Sequence, residues 1–196
     1  RPRAPRRFSG VWLMGGRMSV NVALPWIAPA LELIRDAVRS DVPVIGHCLG
    51  GQLLAKALGG TVSANPVREI GWGEVRVAEN AVARDWLGEL QQFLSFHWHG
   101  ETFSIPPGAT RVLENAHCVN QAFATGIHLG MQTHVEMTEE IIRTWVRGGR
   151  AEIEVHASSP GVQKPADIEH ELAARLKALN EVASRLYDRW TQNLRR

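Results

Sequence analysis

Several things are scarce or missing in this sequence, and each absence excludes something. Only two cysteines occur in 196 residues, Cys48 and Cys118, so no disulfide framework holds the chain together. No apolar run approaches the roughly 18 residues of a membrane span and no signal peptide is evident, which predicts a soluble, cytoplasmic protein. Repeats and low-complexity tracts are absent too. An excess of one charge is also lacking. The formal net charge of +2 is carried by the ends, where Arg1, Arg3, Arg6, Arg7, Arg195 and Arg196 supply six of the 22 basic residues. The remainder, 16 basic against 20 acidic, sums to −4 and offers no nucleic-acid surface; the basic start reads as a solvated tail. There is no Gly-rich phosphate loop of the Walker kind and too little chain beyond Gly148 to hold one, so any ATP-driven synthetase half is expected on a separate subunit.

What is present is enough for one buried core: 44% of the residues are hydrophobic, and residues 1–196 are expected to form a single domain. The stretch Val42 to Gly60 organises it. Val42 to Ile45 reads as a buried strand, and Gln52 to Leu58 as a helix closed by Gly59 and Gly60. Cys48 falls on the bend between them, among Gly46, Gly50 and Gly51, where small residues let a strand turn sharply into a helix. The thiolate is the reactive form of cysteine and helix N-termini favour negative charge, so the place suits a nucleophile; an inert packed thiol is the other reading.

Upstream, Gly10 to Met14 reads as a strand leading to Gly15-Gly16, followed by a helix with Ile27, Leu31, Ile34 and Val38 on one face. Strand, helix and parallel strand make a βαβ unit, and ligands of such sheets gather beyond the carboxyl ends of the strands, where Gly15-Gly16 and Cys48 both lie. From Thr61 to Gln132 the pattern turns to strands: Glu69 to Val77, Phe93 to Trp98, Arg111 to Leu113, Val119 to Ala124 and Ile127 to Gln132, with a short helix at Ala83 to Gln91. Cys118 reads as a packed thiol in a strand-like segment. His97 and His99 share a strand face, but two ligands without a third make a poor zinc site. His134 and Glu136, two apart in an extended segment, point the same way, so the carboxylate can hold one ring nitrogen while the other faces a nucleophile. A helix is expected over Thr138 to Arg147. Beyond a loop at Ser158 to Gly161, Ile168, Leu172, Leu176, Leu179, Ala183, Leu186, Trp190 and Leu194 mark one long helix, or two joined near Asn180, with Pro165 at the start. It serves either as a lid or docking surface, or as a helix packed on the sheet.

Gly46-His47-Cys48-Leu49-Gly50-Gly51-Gln52 fits the pattern G-x-C-x-G-x-Q, and Gln132-Thr133-His134-Val135-Glu136 fits Q-x-H-x-E. With Gly15-Gly16 these segments resemble the triad-type, class I glutamine amidotransferases, in particular free-standing members similar to the amidotransferase domain of GMP synthase. The resemblance spans residues 8–147, with 160–196 as a helical extension. It implies a three-layer α/β/α sandwich with a mostly parallel, flavodoxin-like central sheet. It also implies a first strand, helix and second strand ahead of Gly10, so the sheet of this sequence is expected to be incomplete.

By the same resemblance Cys48 is the nucleophile, His134 the acid–base group and Glu136 its orienting partner. The N–H groups of Gly16 and Leu49 form the oxyanion hole, and Gln52, His99 and Gly100 border the substrate; for His99 a buried, hydrogen-bonded role is the alternative. Relatives commonly have Pro at Arg17, Asp at Val22 and Pro at Val135. The implied activity releases ammonia from glutamine through a γ-glutamyl thioester, with no metal or organic cofactor, for a synthetase subunit or acceptor in trans. A γ-glutamyl peptidase and a catalytically impaired regulatory subunit are the competing readings. On this assignment Cys48→Ala abolishes labelling by a glutamine-like electrophile and Cys118→Ala does not; mass-spectrometric mapping of the label checks it.

Overall fold

Hydrophobic spacing and caps account for the helices. In the computed structural model, which describes residues 7–194, the Ile27, Leu31 and Ile34 stripe buries one side of α1 (Ile27–Arg39), and Pro29 sits in its first turn, where no intrahelical bond is lost. The arginines at positions 1, 3, 6, 195 and 196 lie outside the described residues. β1 (Val11–Leu13) precedes α1; β2 (Val44–His47) and α2 (Leu49–Ala57) follow it. Next come β3 (Val62–Val77), α3 (Ala81–Leu87), β4 (Gln92–Phe103), β5 (Thr110–Glu114), β6 (Ala122–Thr125) and β7 (His128–Met131). The remainder is mainly helical: α4 (Glu139–Gly148), α5 (Arg150–Val155), β8 (Gly161–Val162), α6 (Pro165–Glu169) and α7 (Leu172–Thr191). Asn80 caps α3 by accepting from Ala83 N–H at 2.9 Å, and Thr138 caps α4 by accepting from Ile141 N–H at 3.3 Å.

One mixed sheet runs in the order β1-β2-β7-β6-β5-β3-β4, with β8 beside β3. As expected, the region holding the Cys48 bend is parallel: β1 pairs with β2 and β2 with β7. The expected three-layer fold with its parallel centre is present, and beyond that centre β7–β6, β6–β5, β5–β3 and β3–β4 are antiparallel while β8 pairs with β3 in parallel. The reason is local. No helix separates β4 from β5, β5 from β6 or β6 from β7, and short connections such as the turn through Gly126 join only antiparallel neighbours.

Alternation along β2 divides the interior into the expected layers. Val44 joins the cluster beneath α1 and α2, with Ile34, Leu54 and Phe123. Ile45 faces the other way, toward Trp72, Phe96, Leu129 and the apolar sides of α3, α4 and α7. Among the described residues no helix is long and apolar enough to cross a membrane.

Three local readings change. Cys118 lies in the bend between β5 and β6 rather than in a strand, its N–H held by Asn115 Oδ1 at 2.6 Å; β6 begins only at Ala122. α2 starts at Leu49, so Gly50 and Gly51 form its first turn. The C-terminal helix runs unbroken through Asn180; its break falls earlier, at Glu171, which adopts φ +49 between α6 and α7. There α7 packs on the sheet and α3, as the simpler of its two readings had it.

Gly50 and Gly51 seat α2 on the strands. A Cβ at Gly50 would meet Leu13 O at 2.2 Å, and one at Gly51 would meet Met131 O at 2.3 Å. Both obstacles are backbone, which cannot swing aside. Gly51→Ala should therefore cost about 1–3 kcal/mol of stability by overpacking, whereas Gly148→Ala in α4, whose Cβ would meet only Arg17 at 3.7 Å, should be neutral or stabilising. Urea denaturation of the two variants measures the contrast.

Candidate active site

The site begins at the ends of two parallel strands. β2 and β7 are in register at His47 and Met131, and the next N–H, that of Cys48, donates to Met131 O at 2.8 Å. Cys48 then takes φ +50 and ψ −109, a left-handed conformation costly for a residue with a Cβ, before α2 begins. This is the sharp bend expected of an elbow. Cys48 is 7% exposed and borders a cavity of about 600 Å³.

His134 arrives from the segment after β7. Its N–H donates to Phe96 O at 2.8 Å, and the Thr133 hydroxyl donates to the same carbonyl at 3.0 Å, so β4 fixes the height of the imidazole. Nδ1 of His134 donates to Glu136 Oε1 at 2.6 Å. Nε2 lies on the Cys48 side but has no hydrogen-bond partner among the described residues, and Cys48 Sγ lies 3.9 Å from Trp98 O. Trp145 of α4 stands edge-on to the imidazole at 5.1 Å, and Trp98 packs against Trp145 in turn. Burial alone would lower the His134 pKa; the Glu136 carboxylate and the Cys48 contact outweigh it and hold the group up at about 10. For Glu136 burial pushes upward, but the charge and hydrogen bond of His134, with His47 beyond, bring it down to about 2. The Glu136 carboxylate, the His134 imidazole and the Cys48 sulfur thus meet at the mouth of the elbow.

The loop after β1 closes the other side. A Cβ on Gly15 would lie 3.0 Å from His134 Cε1, and one on Gly16 would lie 2.7 Å from the Leu49 side chain, so both glycines are pressed against the site. Leu49 is the first residue of α2, and N–H groups of a first helical turn have no intrahelical acceptor. Side chains pin the loop: Ser19 Oγ donates to Glu101 at 2.8 Å, Asn21 Nδ2 to Val62 O at 2.8 Å, and Lys56 Nζ to Val20 O at 2.9 Å. Arg17 lines the cavity, and Val22 is exposed.

Gln52 reaches the cavity from α2 and donates to Gln132 Oε1 at 3.1 Å. Both nitrogens of His99 face protein groups: Nδ1 donates to Glu101 O at 3.0 Å, and Nε2 lies 3.0 Å from Glu69 Oε2. Gly100 lies under Arg68, whose guanidinium would clash with a Cβ there at 2.5 Å. Glu69 also accepts from Asn115 at 2.6 Å and Gln121 at 2.8 Å; burial pushes its pKa up, but the His99 hydrogen bond and the charges of His97 and His99, with Asn115 adding, bring it down to about 2. Glu69, His99 and Cys118 form the group that could hold an ion among the described residues, their ligand atoms within 4.8 Å of one another. Burial, however, pushes the Cys118 thiol up to about 11, against hydrogen bonds to Thr102 and Asn120, and a protonated thiol is a weak ligand.

Sequence reasoning did not find Arg68, Trp98, Trp145 or Glu152 as cavity residues. Arg68 pairs with Glu152 at 2.5 Å, and Glu152 also accepts from Trp98 Nε1 at 3.0 Å. The signal was faint: only the register of β3 against β4 and the start of α5 bring them together. His47 fills an unspecified position of the G-x-C-x-G-x-Q pattern, and its Nδ1 lies 3.2 Å from Glu136 Oε2.

Cys48, His134 and Glu136 come together at the carboxyl ends of parallel strands in a three-layer α/β fold, where ligands of such sheets gather. The chain belongs to the class I glutamine amidotransferase family, whose model matches residues 4–141, well over half of it. A crystal structure of a glutamine amidotransferase from Methylobacillus flagellatus superposes with a TM-score of 0.97 at 44% identity, covering 100% of this chain and 81% of the other. The glutamine amidotransferase-like protein YfeJ of Salmonella typhimurium is 29% identical over 162 residues, 82% of this chain and 66% of that protein. A GMP synthase [glutamine-hydrolyzing] of Vibrio vulnificus is 36% identical over 133 residues, 66% of this chain. The chain matches only 24% of that synthase's length.

The charges of the site set a pH dependence. A histidine raised from 6.5 to about 10 contributes stability that is complete below 6.5 and is lost as pH rises through about 10. His47 and His97, buried and lowered to about 4, act oppositely and withdraw stability as pH falls from 6.5 through 4. His134→Asn should flatten the alkaline limb of the stability profile and leave the acid limb in place. Urea midpoints measured across this range test the assignment.

Proposed function

We propose that the chain is a glutamine-hydrolysing amidotransferase unit, with Cys48 as nucleophile, His134 as acid–base and Glu136 as orienting carboxylate. The observation that supports it most directly is the 2.6 Å contact of Glu136 with His134 Nδ1, which leaves Nε2 for Cys48 at the edge of the cavity. Sγ would attack the side-chain amide carbon of glutamine, and the N–H groups of Gly16 and Leu49 would receive the oxyanion. The His134 imidazolium would protonate the departing nitrogen, releasing ammonia and leaving a γ-glutamyl thioester. Neutral His134 would then take a proton from water as it attacks the thioester, returning glutamate and free Cys48.

Gln52 and the Gly100 backbone border the cavity where the amino-acid end of the substrate would lie. His99, tied to Glu69 and Glu101, would act by shaping that wall. The relatives whose names include glutamine-hydrolyzing GMP synthase support an ammonia acceptor supplied by a synthetase segment or subunit. The chain is read as a single unit with its core over 8–147 and a C-terminal extension from 160 whose helices α6 and α7 pack on it.

Purified protein should release ammonia from glutamine in a coupled assay, alone or on addition of a synthetase partner, and Cys48→Ala should abolish it. His134→Asn should slow single-turnover thioester formation by ~10²–10⁴-fold, and Glu136→Gln, which keeps the shape, by less. Release of amino acids from γ-glutamyl dipeptides without ammonia from glutamine would replace this reading with an isopeptidase.

A further inference from the structure

We infer that His47 is a positioning residue for the site: a second imidazole that faces the far oxygen of Glu136 with Nδ1–H and is held from behind, at Nε2, by the Tyr187 hydroxyl of α7. The inference rests on the reading of Cys48, His134 and Glu136 given above.

The geometry is specific. His47 ends β2, immediately before Cys48, and its side chain is fully buried. Two residues past Ile45, it points to the same face of the sheet, the one covered by α7. The two oxygens of Glu136 are shared between two rings: Oε1 accepts from His134 Nδ1 at 2.6 Å, and Oε2 lies 3.2 Å from His47 Nδ1. The second contact lacks the alignment of a full hydrogen bond, so its strength is chiefly electrostatic. On the opposite side of the ring, His47 Nε2 is 3.2 Å from the Tyr187 hydroxyl.

A neutral imidazole has one N–H and one lone pair. Burial lowers the His47 pKa to about 4 despite the Glu136 charge, with the His134 charge adding to the fall, so the ring is neutral near pH 7. A lone pair on Nδ1 would face a carboxylate oxygen, a repulsive arrangement; an N–H there faces it favourably. The carboxylate thus selects the Nδ1–H tautomer, and Nε2 becomes an acceptor for the Tyr187 O–H. Burial and Glu136 both push the phenol pKa up, so that proton stays on the oxygen. The titratable groups facing His47 are therefore Glu136, His134 and Tyr187; β1 offers only the Trp12 ring, 5.8 Å from His47 and 4.9 Å from Tyr187.

A carboxylate held at one oxygen can rotate about its last bond; one held at both cannot. His47 therefore keeps Oε1 aimed at His134, and through it keeps Nε2 aimed at Cys48. No atom of His47 need touch substrate.

The test compares the parent with His47→Leu, His47→Asn and Tyr187→Phe. Two readouts are used: the pH dependence of kcat and KM for glutamine, and the pH dependence of Cys48 alkylation by iodoacetamide, which needs no turnover. His47→Leu should lower kcat about threefold to tenfold, up to the scale of one lost hydrogen bond, with KM unchanged, and should move the alkaline limb of the profile to lower pH as the Glu136 carboxylate is held less firmly against His134. His47→Asn, whose amide can place an N–H where Nδ1 stood, should restore most of the loss. Tyr187→Phe keeps the ring and should move both readouts in the same direction by less. If His47→Leu fails to fold, Tyr187→Phe decides: an unmoved limb and unchanged kcat overturn the inference. A parent that neither alkylates at Cys48 nor releases ammonia overturns the catalytic reading itself; an active parent with unmoved variants overturns the role of His47 alone.

Discussion

Backbone packed on backbone is the constraint from which the rest follows. The first turn of α2 lies so close to β1 and β7 that Gly50 and Gly51 leave no room for a side-chain carbon against Leu13 O and Met131 O. That closeness forces the chain to turn within one residue of the end of β2, and Cys48 absorbs the turn with φ +50. A strained backbone at one residue persists only where its surroundings over-determine it. Here the N–H bond to Met131 O and the helix on the other side do so. The same contact brings the start of α2 beside Gly16, so Cys48 and the candidate oxyanion donors are placed by one packing event.

The antiparallel half of the sheet completes what the parallel half begins. β3 and β4 form a long ribbon whose near end carries Arg68, Trp98, His99 and Glu101 to the cavity. Phe96 O, on the same ribbon, receives both His134 N–H and the Thr133 hydroxyl. The ribbon keeps its shape through a buried polar cluster in which Glu69 faces His99, Asn115 and Gln121 together. A lone buried carboxylate would be costly; one with three partners fixes the wall to which they belong.

Much of this was legible because it is local. The bend at Cys48, the stripe Ile27, Leu31 and Ile34 of α1, the helix beginning at Thr138 and the i, i+2 pairing of His134 with Glu136 each depend on residues a few positions apart. Boundaries were less legible. The glycines after Cys48 read as a bend and are helical, because burial against two strands outweighs their poor helix propensity. Cys118 read as a strand residue because its neighbours are apolar, but Asn115 draws its N–H into a turn. Long-range partners were the least legible. Arg68 meets Glu152 across 84 residues and Tyr187 meets His47 across 140, and no periodicity records such meetings.

The Tyr187 contact carries a consequence for the order of assembly. Local contacts form early in folding, whereas contacts between distant parts of a chain wait for loop closure. The elbow and the His134–Glu136 pair can form from the sheet and α2, but the ring of His47 gains its hydroxyl partner only when α7 docks across β1 and β2, with Tyr187 and Trp190 beside Trp12. During synthesis, residues 42–60 leave the ribosome long before residue 187, so the thiol exists for a time without its finished electrostatic surroundings. Docking of α7 is then a checkpoint on maturation: the helix that closes the core also finishes the polar chain behind the thiol.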